Sequence, residues 1–296
     1  MRRSSSFLIL PVVIYLTAMT IFPMVYLVYL SLLDWNLLGG GSQFVGLQNF
    51  IDVLSPNSPD SPAFYNSLWI TLAFGGSVTL IELVLGLAIA LLLARENLIA
   101  KLAQGMLVVP LVITPVLLDM IWKYLYSPLL GPITYLLSLF GIIGMDYLST
   151  IPNVYFSLAI VDLWQWTPLV ILILLGGLLS LPRQQFEAAE LDGATRSQIL
   201  RYLTIPTIFP FIIIALIFRL VDALKVFNKI YILTAGGPGD ATDTLSYRIF
   251  HHSLGFTQEV GYGATLSLLF FLMVVVISTV LVLSFSRIIL GGKEKT

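Results

Sequence analysis

Cysteine is absent from this chain of 296 residues, so the sequence offers no disulfide and no thiolate ligand for a metal. Charge is scarce as well: charged residues make up 10% of the chain, whereas hydrophobic residues make up 58%. The mean hydropathy is +0.96. A water-soluble domain of this length could not bury so much apolar surface in one core. The composition therefore predicts an integral membrane protein.

Motifs for catalysis and nucleotide binding are also missing. The chain contains no Gly-x-x-x-x-Gly-Lys-Ser/Thr phosphate loop, which excludes ATP hydrolysis by that device. Its two histidines, His251 and His252, are adjacent, and without cysteine nearby they indicate solvated loop residues rather than a zinc site. We therefore expect a protein that is not an enzyme and that needs no cofactor and no metal.

Long apolar runs dominate what remains. A helix that spans a bilayer needs about 20 predominantly apolar residues. Six runs reach that length, and they cover residues 7–33, 66–94, 104–126, 154–180, 207–233 and 262–289. The first run is too long for a secretory signal and no small-residue cleavage site follows it, so we expect it to be retained. The predicted fold class is an all-α membrane protein with six transmembrane helices, in a single domain spanning residues 1–296.

The basic residues predict the orientation of these helices. With the N- and C-termini in the cytoplasm, the inner side carries Arg2, Arg3, Arg95, Lys101, Arg183, Arg196, Arg201, Arg287, Lys293 and Lys295. The predicted outer loops then contain Arg248 as their basic residue. This asymmetry satisfies the positive-inside rule and places the polar segment 181–206 in the cytoplasm.

The segment 181–206 is a polar, helix-forming stretch between two apolar runs. Its sequence favours two helical pieces around Gly193, because glycine readily adopts the conformation of a turn. An ordinary loop between membrane helices needs only a few turn-forming residues. We therefore interpret this segment as a docking surface for a partner.

Ionisable residues within the predicted helices indicate a functional interior. A charge in the bilayer costs roughly 2.5–3.5 kcal/mol on insertion scales, so such residues usually face the bundle interior and pair with one another. These residues are Glu82, Asp119, Lys123, Asp162, Arg219, Asp222, Lys225 and Lys229. On the fifth predicted helix, Arg219 and Asp222 can pair locally and share a face with Ala223, Val226 and Ile230. Lys225 and Lys229 are expected to extend towards the outer surface.

Aromatic and amide side chains accompany these charges. Gln165 and Trp166 follow Asp162 closely, and Trp122 follows Asp119. Carboxylates and amides beside indoles suit a sugar or polyol, since hydroxyls need polar partners and the apolar face of a sugar ring needs an aromatic. The alternative interpretation is structural: tryptophan commonly anchors a helix at the membrane interface, and an Arg–Asp pair can hold helices together.

Three groups of residues within the polar segment occur in a specific order. Glu187-Ala188-Ala189 is followed by Asp192-Gly193-Ala194, and the segment closes with Ile205-Pro206. Together they resemble the EAA loop of binding-protein-dependent ABC importer permeases, in which leucine-proline is the usual closing pair. Residues 44–50 (FVGLQNF) and 226–239 (VFNKIYILTAGGPG) are similar to the carbohydrate-uptake branch of that family. The resemblance covers nearly the whole chain and implies the type I importer permease fold.

The resemblance also implies partners. In this family two permease subunits, in this case expected to form a heterodimer, build the pathway in the bacterial plasma (inner) membrane. Two ATP-binding cassette ATPase subunits bind their EAA loops, and an external solute-binding protein delivers the substrate. No nucleic acid is implied. By position, coupling to the ATPase falls to Glu187, Ala188, Ala189, Asp192, Gly193 and Ala194.

A substrate pathway follows from the same resemblance. In the maltose-type member, the third, fourth and fifth core helices hold the sugar. The residues that this match and the intramembrane charges place around the pathway are Leu111, Pro115, Asp162, Gln165, Trp166, Arg219, Asp222 and Ala223. Trp166 stands where the maltose permease has a glycine, so the pocket is expected to differ in size.

The function predicted from the sequence is that of a permease subunit of an ATP-driven carbohydrate or polyol importer working by alternating access. Two alternatives stay open. One is an ABC importer of a non-carbohydrate solute. The other is a secondary transporter driven by an ion gradient, with Asp162, Asp222 and Glu82 as ion sites. A phosphorylated substrate would favour Arg219 and nearby lysines as partners, whereas a neutral one would depend on Trp166 and Asp162.

Overall fold

The structure is a computed structural model that describes residues 3–39, 41–94, 97–255 and 257–290. Arg2, Arg95, Lys293 and Lys295, which contributed to the predicted orientation, lie outside the described residues. The α-helices and strands, in chain order, are α1 (Arg3–Ser31), β1 (Leu33–Asn36), β2 (Gly41–Phe44), α2 (Gln48–Leu54), α3 (Ser61–Leu93), α4 (Leu98–Met106), α5 (Val108–Val112), α6 (Pro115–Leu125), α7 (Pro132–Ser138), α8 (Asn153–Leu179), α9 (Arg183–Leu191), α10 (Arg196–Gln198), α11 (Ile205–Leu224), α12 (Leu245–Ser253) and α13 (Val260–Leu290). Two π-helical segments, Ile199–Thr204 and Ile230–Thr234, adjoin α11 and the loop that follows it.

The described chain contains several helices that are long and apolar enough to span a membrane. Five such spans are found within the described residues, namely Leu10–Ser31, Ser61–Leu93, Asn153–Leu179, Arg196–Leu224 and Val260–Phe285. A sixth results if the bent pair Leu98–Val112 and Pro115–Leu125 is taken as one broken span. On that basis, the prediction of an all-α membrane protein with six spans is confirmed.

The third span is not the continuous helix that the sequence predicted. Its two parts meet at an angle of 96° around Ile113 and Thr114. Thr114 has an extended ψ of 130°, and Pro115 begins α6. Because a proline ring disfavours helical geometry in the preceding residue, the break falls where the chain meets Pro115.

The fifth predicted span also ends earlier than expected. Helix α11 stops at Leu224, nine residues before the predicted end at position 233. The final turn tightens, with Lys225 N donating to Asp222 O (3.0 Å) and Val226 N donating to Ala223 O (3.3 Å). The expectation that Val226 and Ile230 share a helical face with Arg219 was therefore wrong.

The described contacts divide the chain into two compact units. The first comprises residues Met1–Leu68 and Leu245–Met273. Its strands β1 and β2 form an antiparallel hairpin in which Leu33 pairs with Phe44. The Asn49 amide donates to the carbonyls of Ser31 (3.0 Å) and Leu33 (2.9 Å), which fixes α2 against the hairpin. The small core of this unit consists of Val53, Phe64, Leu245 and Leu266.

The second unit comprises residues Trp69–Thr244 and Val274–Thr296. Its core forms where α8 packs on α11 and α3, and it contains Ala90, Val170, Ile171, Leu174, Leu175 and Ala215. Small residues allow the close approach: a Cβ atom added to Gly177 would lie 2.6 Å from the Phe211 ring. This packing holds α3, α8 and α11 side by side, and all the intramembrane charges named above belong to this unit.

Candidate functional site

Helix α8 presents a polar face within an otherwise apolar span. Asp162, Gln165 and Trp166 follow the i, i+3, i+4 spacing that places side chains on one side of a helix. Asp162 and Gln165 are buried, with 2% and 3% of their surface exposed. The surrounding helix is apolar, so this face must meet other polar groups inside the protein.

Arg219 of α11 supplies the largest of those groups. Its Nη1 donates to Asp222 Oδ2 over 3.2 Å, and its Nη2 donates to Asp162 Oδ2. Its Nε lies 2.5 Å from Glu82 Oε2, as an ion pair outside hydrogen-bonding geometry. All three guanidinium nitrogens therefore face carboxylates. The predicted local pairing of Arg219 with Asp222 is present.

Lys229 completes the network from the segment that follows α11. Its ammonium donates to Asp162 Oδ1 over 2.5 Å, and the residue is 3% exposed. The expectation that Lys229 extends to the outer surface was therefore wrong. It points inward because Asp162 offers a second carboxylate oxygen after Arg219 has taken the first.

The four residues Glu82, Asp162, Arg219 and Lys229 form a charge-balanced cluster, which we call the ion cluster. Two acidic and two basic side chains meet there, each with 4% exposure or less. Balanced pairing offsets the cost of removing charges from water, whereas removal of one member would leave a buried charge without compensation. The cluster connects α3, α8, α11 and the segment after α11.

A cavity of about 160 Å³ opens beside the ion cluster. Its lining consists of Pro115, Asp119, Asp162, Gln165, Trp166, Arg219, Asp222, Ala223, Lys225, Val226, Phe227, Asn228 and Lys229. Seven of the eight residues predicted for the substrate pathway are among them. Leu111, the eighth, lies in α5 before the break at Thr114 and does not line this cavity.

Several lining residues were not among the predicted set. Asn228 and Lys229 were not predicted to line the pathway because the sequence predicted an unbroken helix there, whereas the helix ends at Leu224. Asp119 was recognised as an intramembrane charge but not assigned to the pathway. It is 1% exposed, and its Oδ1 has no hydrogen-bond partner among the described residues.

The two neighbouring tryptophans of α8 have different environments. The Arg219 guanidinium carbon lies 5.5 Å from the centre of the Trp166 ring, in a cation–π contact at the cavity wall. Trp164 is 43% exposed and packs edge-on against Trp122 at 6.1 Å. The structural interpretation of tryptophan as an interfacial anchor therefore suits Trp164, whereas Trp166 belongs to the cavity.

The polar segment 181–206 folds as two helical pieces around a glycine, as the sequence predicted. Gly193 has a φ of +80°. Two backbone hydrogen bonds, in which Gly193 N donates to Glu190 O (3.0 Å) and Ala194 N donates to Ala189 O (3.0 Å), end α9 in a Schellman motif. Thr195 and Gln198 then form a capping box that starts α10. The two motifs fix where one helix ends and the next begins.

The surface of this segment is open. Among the residues predicted to couple to the ATPase, Glu187, Ala188, Asp192 and Gly193 are exposed, while Ala189 and Ala194 are half-buried. All of these except Glu187 line a groove of about 650 Å³, together with Gln185, Gln198, Ile199, Tyr202 and Leu203. Leu191 and Tyr202 expose 88% and 71% of their surface on this otherwise polar segment, so their apolar side chains are available to contact another protein.

The two histidines are not the loop residues that the sequence predicted. Both lie in α12, and His252 is half-buried, with its Nδ1 2.9 Å from Glu259 Oε2. Burial lowers the pKa of His252 below its ordinary value, although Glu259 opposes that shift.

Apolar spans, a buried polar cavity and an exposed helical segment together define a polytopic membrane transport protein. Residues 70–290 match the family described as binding-protein-dependent transport system inner membrane component. The chain belongs to this family. It is therefore a permease rather than an enzyme, and it is a multi-pass inner-membrane component of a transport system that uses a binding protein.

Relatives extend the match over the chain. It is 38% identical over 263 residues to the probable ABC transporter permease protein y4oQ of Sinorhizobium fredii, covering 88% of this chain and 82% of the relative. It is 34% identical over 232 residues to the trehalose/maltose transport system permease protein MalF of Thermococcus litoralis, covering 78% and 76%.

A solved structure shows the same fold. A chain of the bacterial alginate ABC transporter, crystallised with an alginate pentasaccharide-bound periplasmic protein, superposes with a TM-score of 0.83. The two chains are 21% identical, and the match covers 96% of this chain and 94% of the other. The prediction of an ABC importer permease with the type I permease fold is confirmed.

Proposed function

We propose that this chain forms half of the transmembrane pathway of an ATP-driven importer whose cargo is a carbohydrate, and that the cavity beside the ion cluster holds the cargo in transit. The observation that carries the proposal is the lining of that cavity inside a membrane permease: it contains the Trp166 indole, the Gln165 amide and the Asp119 carboxyl, whose Oδ1 has no hydrogen-bond partner among the described residues. Such groups bind a sugar through its hydroxyls and its apolar ring face.

The relatives support this cargo. The system of Thermococcus litoralis is named for trehalose and maltose, and a permease 32% identical over 294 residues, SugA of Mycobacterium tuberculosis, is named for trehalose. The structural neighbour belongs to a system that imports the acidic polysaccharide alginate. These names concern those proteins, and this chain shares with them the permease fold and family.

The partners form the second part of the proposal. A second permease subunit completes the pathway, two ATPase subunits bind segment 181–206 and its counterpart, and an external solute-binding protein delivers the carbohydrate. The N- and C-termini and segment 181–206 then lie in the cytoplasm. A short exposed helix such as α9, set in a groove of an ATPase, can transmit a rigid-body motion to α11, which begins directly after the segment.

The test is coupled ATP hydrolysis by the chain purified with its partner subunits and binding protein. We expect carbohydrate-loaded binding protein to stimulate hydrolysis, and we expect Glu187→Ala combined with Gly193→Pro to abolish the stimulation. Glu187→Gln is the matched variant, because it removes the charge and keeps the shape of the side chain. Undiminished coupling in the double variant would refute the docking role of this segment.

A binding screen on the cognate solute-binding protein tests the cargo separately. Binding of amino acids or peptides alone would refute the carbohydrate assignment and leave the importer assignment intact. The alternative of a secondary transporter predicts uptake by the isolated chain in liposomes under an ion gradient. Because the chain belongs to a binding-protein-dependent family, we expect no uptake in that experiment.

A further inference from the structure

We propose that the cavity beside the ion cluster selects uncharged carbohydrates over anionic ones, with Asp119 as the acceptor for a sugar hydroxyl. This inference rests on the proposed function, since it takes the cargo to be a carbohydrate held at this site. It extends that proposal because membership of the family does not indicate whether the cargo is charged.

Two of the three cations that line the cavity, Arg219 and Lys229, are already engaged. Each of the three guanidinium nitrogens of Arg219 faces a different carboxylate: Glu82, Asp162 or Asp222. Lys229 is bound to the second oxygen of Asp162. To reach Arg219 or Lys229, a phosphate or carboxylate on the cargo would have to displace a carboxylate of the protein, and displacing Glu82 or Asp162 would leave a buried charge uncompensated.

The charge balance of the cavity lining gives an anion no advantage. Three acidic side chains, Asp119, Asp162 and Asp222, line the cavity together with the three basic side chains Arg219, Lys225 and Lys229. With these six groups ionised, the formal charge of the lining is zero. Lys225 is the basic lining residue without an ion-pair partner in the described part of the chain, and Asp222 lies three positions from it. A negative cargo would therefore lose its hydration without a net attraction from the lining to offset that loss.

The unengaged polar groups suit hydroxyls instead. Asp119 is 1% exposed, lines the cavity, and carries an oxygen without a hydrogen-bond partner among the described residues. A buried acceptor left unpaired is costly, so a ligand hydroxyl that donates to it gains more than it would at an exposed site. The Gln165 amide, 3% exposed, also lines the cavity and offers both a donor and an acceptor.

Trp166 completes this arrangement. Its ring lies in the cavity wall with the Arg219 guanidinium 5.5 Å from its centre, so the guanidinium is held by three carboxylates and one aromatic face. The remaining surface of the indole can cover the apolar face of a sugar ring. The cavity thus combines a hydroxyl acceptor, an amide and an aromatic surface, while carboxylates of the protein itself neutralise the charge of Arg219.

The experiment measures binding to the detergent-solubilised complex of the chain with its partner permease and ATPases, without the solute-binding protein, so that selection by that protein does not enter. Tryptophan fluorescence is titrated with trehalose and maltose, and separately with their 6-phosphates. Trp166→Phe shows whether the signal originates in the cavity. We expect the neutral sugars to bind and their phosphates to bind at least about tenfold more weakly, the discrimination expected of a site that rejects a charge.

Two substitutions of Asp119 separate its acceptor oxygen from its charge. Asp119→Leu is expected to weaken neutral-sugar binding about tenfold, whereas Asp119→Asn, which keeps a carbonyl acceptor, is expected to stay within about threefold. Asp119→Asn is also expected to narrow the discrimination against the phosphates. Because the Asp119 oxygen has no partner to lose, neither variant is expected to lower the thermal midpoint of the complex.

Each outcome bears on a different statement. Binding of a 6-phosphate as tight as that of its neutral sugar, or wild-type binding by Asp119→Leu, would overturn the inference and leave the carbohydrate proposal standing. Absence of a Trp166-dependent response to any saccharide, together with a response to amino acids, would overturn both. If Asp119→Leu yields no folded complex, the comparison of neutral and phosphorylated sugars on the unaltered protein still decides.

Discussion

Arg219 Nε lies 2.5 Å from Glu82 Oε2, and neither side chain exposes more than 1% of its surface. The two residues belong to different helices, α11 and α3, and the contact joins them within the membrane-spanning part of the protein. Around this pair Asp162 and Lys229 complete a network in which every charge has an opposite charge beside it. The network joins α3, α8 and α11 and supplies charged groups to the cavity next to it.

The ion cluster is expected to be sensitive to loss of a single buried member. Asp162→Asn would leave Lys229 without a carboxylate and Arg219 with one fewer, and we expect a loss of about 3–5 kcal/mol in the free energy of unfolding. Asp222→Asn is the matched control, because the Asp222 side chain is 48% exposed and its contact with Arg219 is screened by water. Thermal unfolding in detergent measures both. Equal destabilisation by the two variants would contradict the assigned role of burial.

Trp166 and Trp164 provide a matched pair for the cavity. Trp166→Ala is expected to raise the KM for uptake about tenfold, because it removes the aromatic surface at the cavity wall, while Trp166→Phe retains part of it. Trp164→Ala is expected to leave the KM unchanged, since that indole faces outward. Uptake into proteoliposomes containing the complete transporter gives the comparison. A KM that responds to Trp164→Ala and not to Trp166→Ala would place the substrate elsewhere.

The sequence predicted those parts of the site that depend on local spacing. Asp162, Gln165 and Trp166 share a face because helical periodicity requires it, and Arg219 with Asp222 follows the same rule on α11. The segment 181–206 was equally predictable, since a glycine, a capping box and a closing proline are local signals.

The parts that escaped depend on contacts between distant residues. Glu82 was recognised as an intramembrane charge, but the residues near it in the sequence did not indicate that Arg219 is its partner. Lys229 was misplaced because α11 ends at Leu224 without a glycine or proline to signal it. The position of Leu111 was carried over from a resemblance, and the bend at Thr114 removes it from the cavity. Only the break at Pro115 had a local signal that could have been used.

Gly193 allows a test of the turn between the two helical pieces of segment 181–206. Its φ of +80° is unfavourable for other residues by roughly 1–2 kcal/mol, although an added Cβ would meet nothing within 4 Å. Gly193→Val is therefore expected to reduce stimulated ATP hydrolysis through strain alone. Gly193→Asn is the control, since asparagine tolerates this conformation, and it is expected to retain most of the activity. If Gly193→Asn reduced stimulated ATP hydrolysis more than Gly193→Val, backbone strain at this turn would not be the cause of the loss.

His252 predicts a pH dependence of stability. Burial holds its pKa in the folded protein below the ordinary value of 6.5, with Arg248 acting in the same direction and Glu259 against it. The unfolded chain then binds the proton more readily, so the stabilising contribution is complete above pH 6.5 and is lost as the pH falls from 6.5 through the lower pKa of the folded protein. We expect His252→Gln to flatten the decline in thermal midpoint between about pH 8 and pH 5. Glu259→Gln removes the opposing partner and is expected to extend the loss to lower pH. Parallel curves for His252→Gln and the unaltered protein would contradict the assignment.

Adjacent glycines in α8 test how closely that helix packs on α11. A Cβ on Gly177 would lie 2.6 Å from Cγ of Phe211, whereas a Cβ on Gly176 would meet nothing within 4 Å. Phe211 packs against the apolar core, and the close contacts include its Cβ at 3.1 Å as well as its ring, so rotation of the ring alone does not relieve them. Gly177→Ala is therefore expected to cost about 1–3 kcal/mol in the free energy of unfolding. Gly176→Ala adds the same methyl group one residue away and should stabilise the helix by up to about 1 kcal/mol through propensity alone. Thermal unfolding of the two variants under one set of conditions measures the difference. If both alanines were tolerated equally, the close approach of α8 and α11 would be wrong, and with it the positions of Asp162 and Arg219 that this approach brings together.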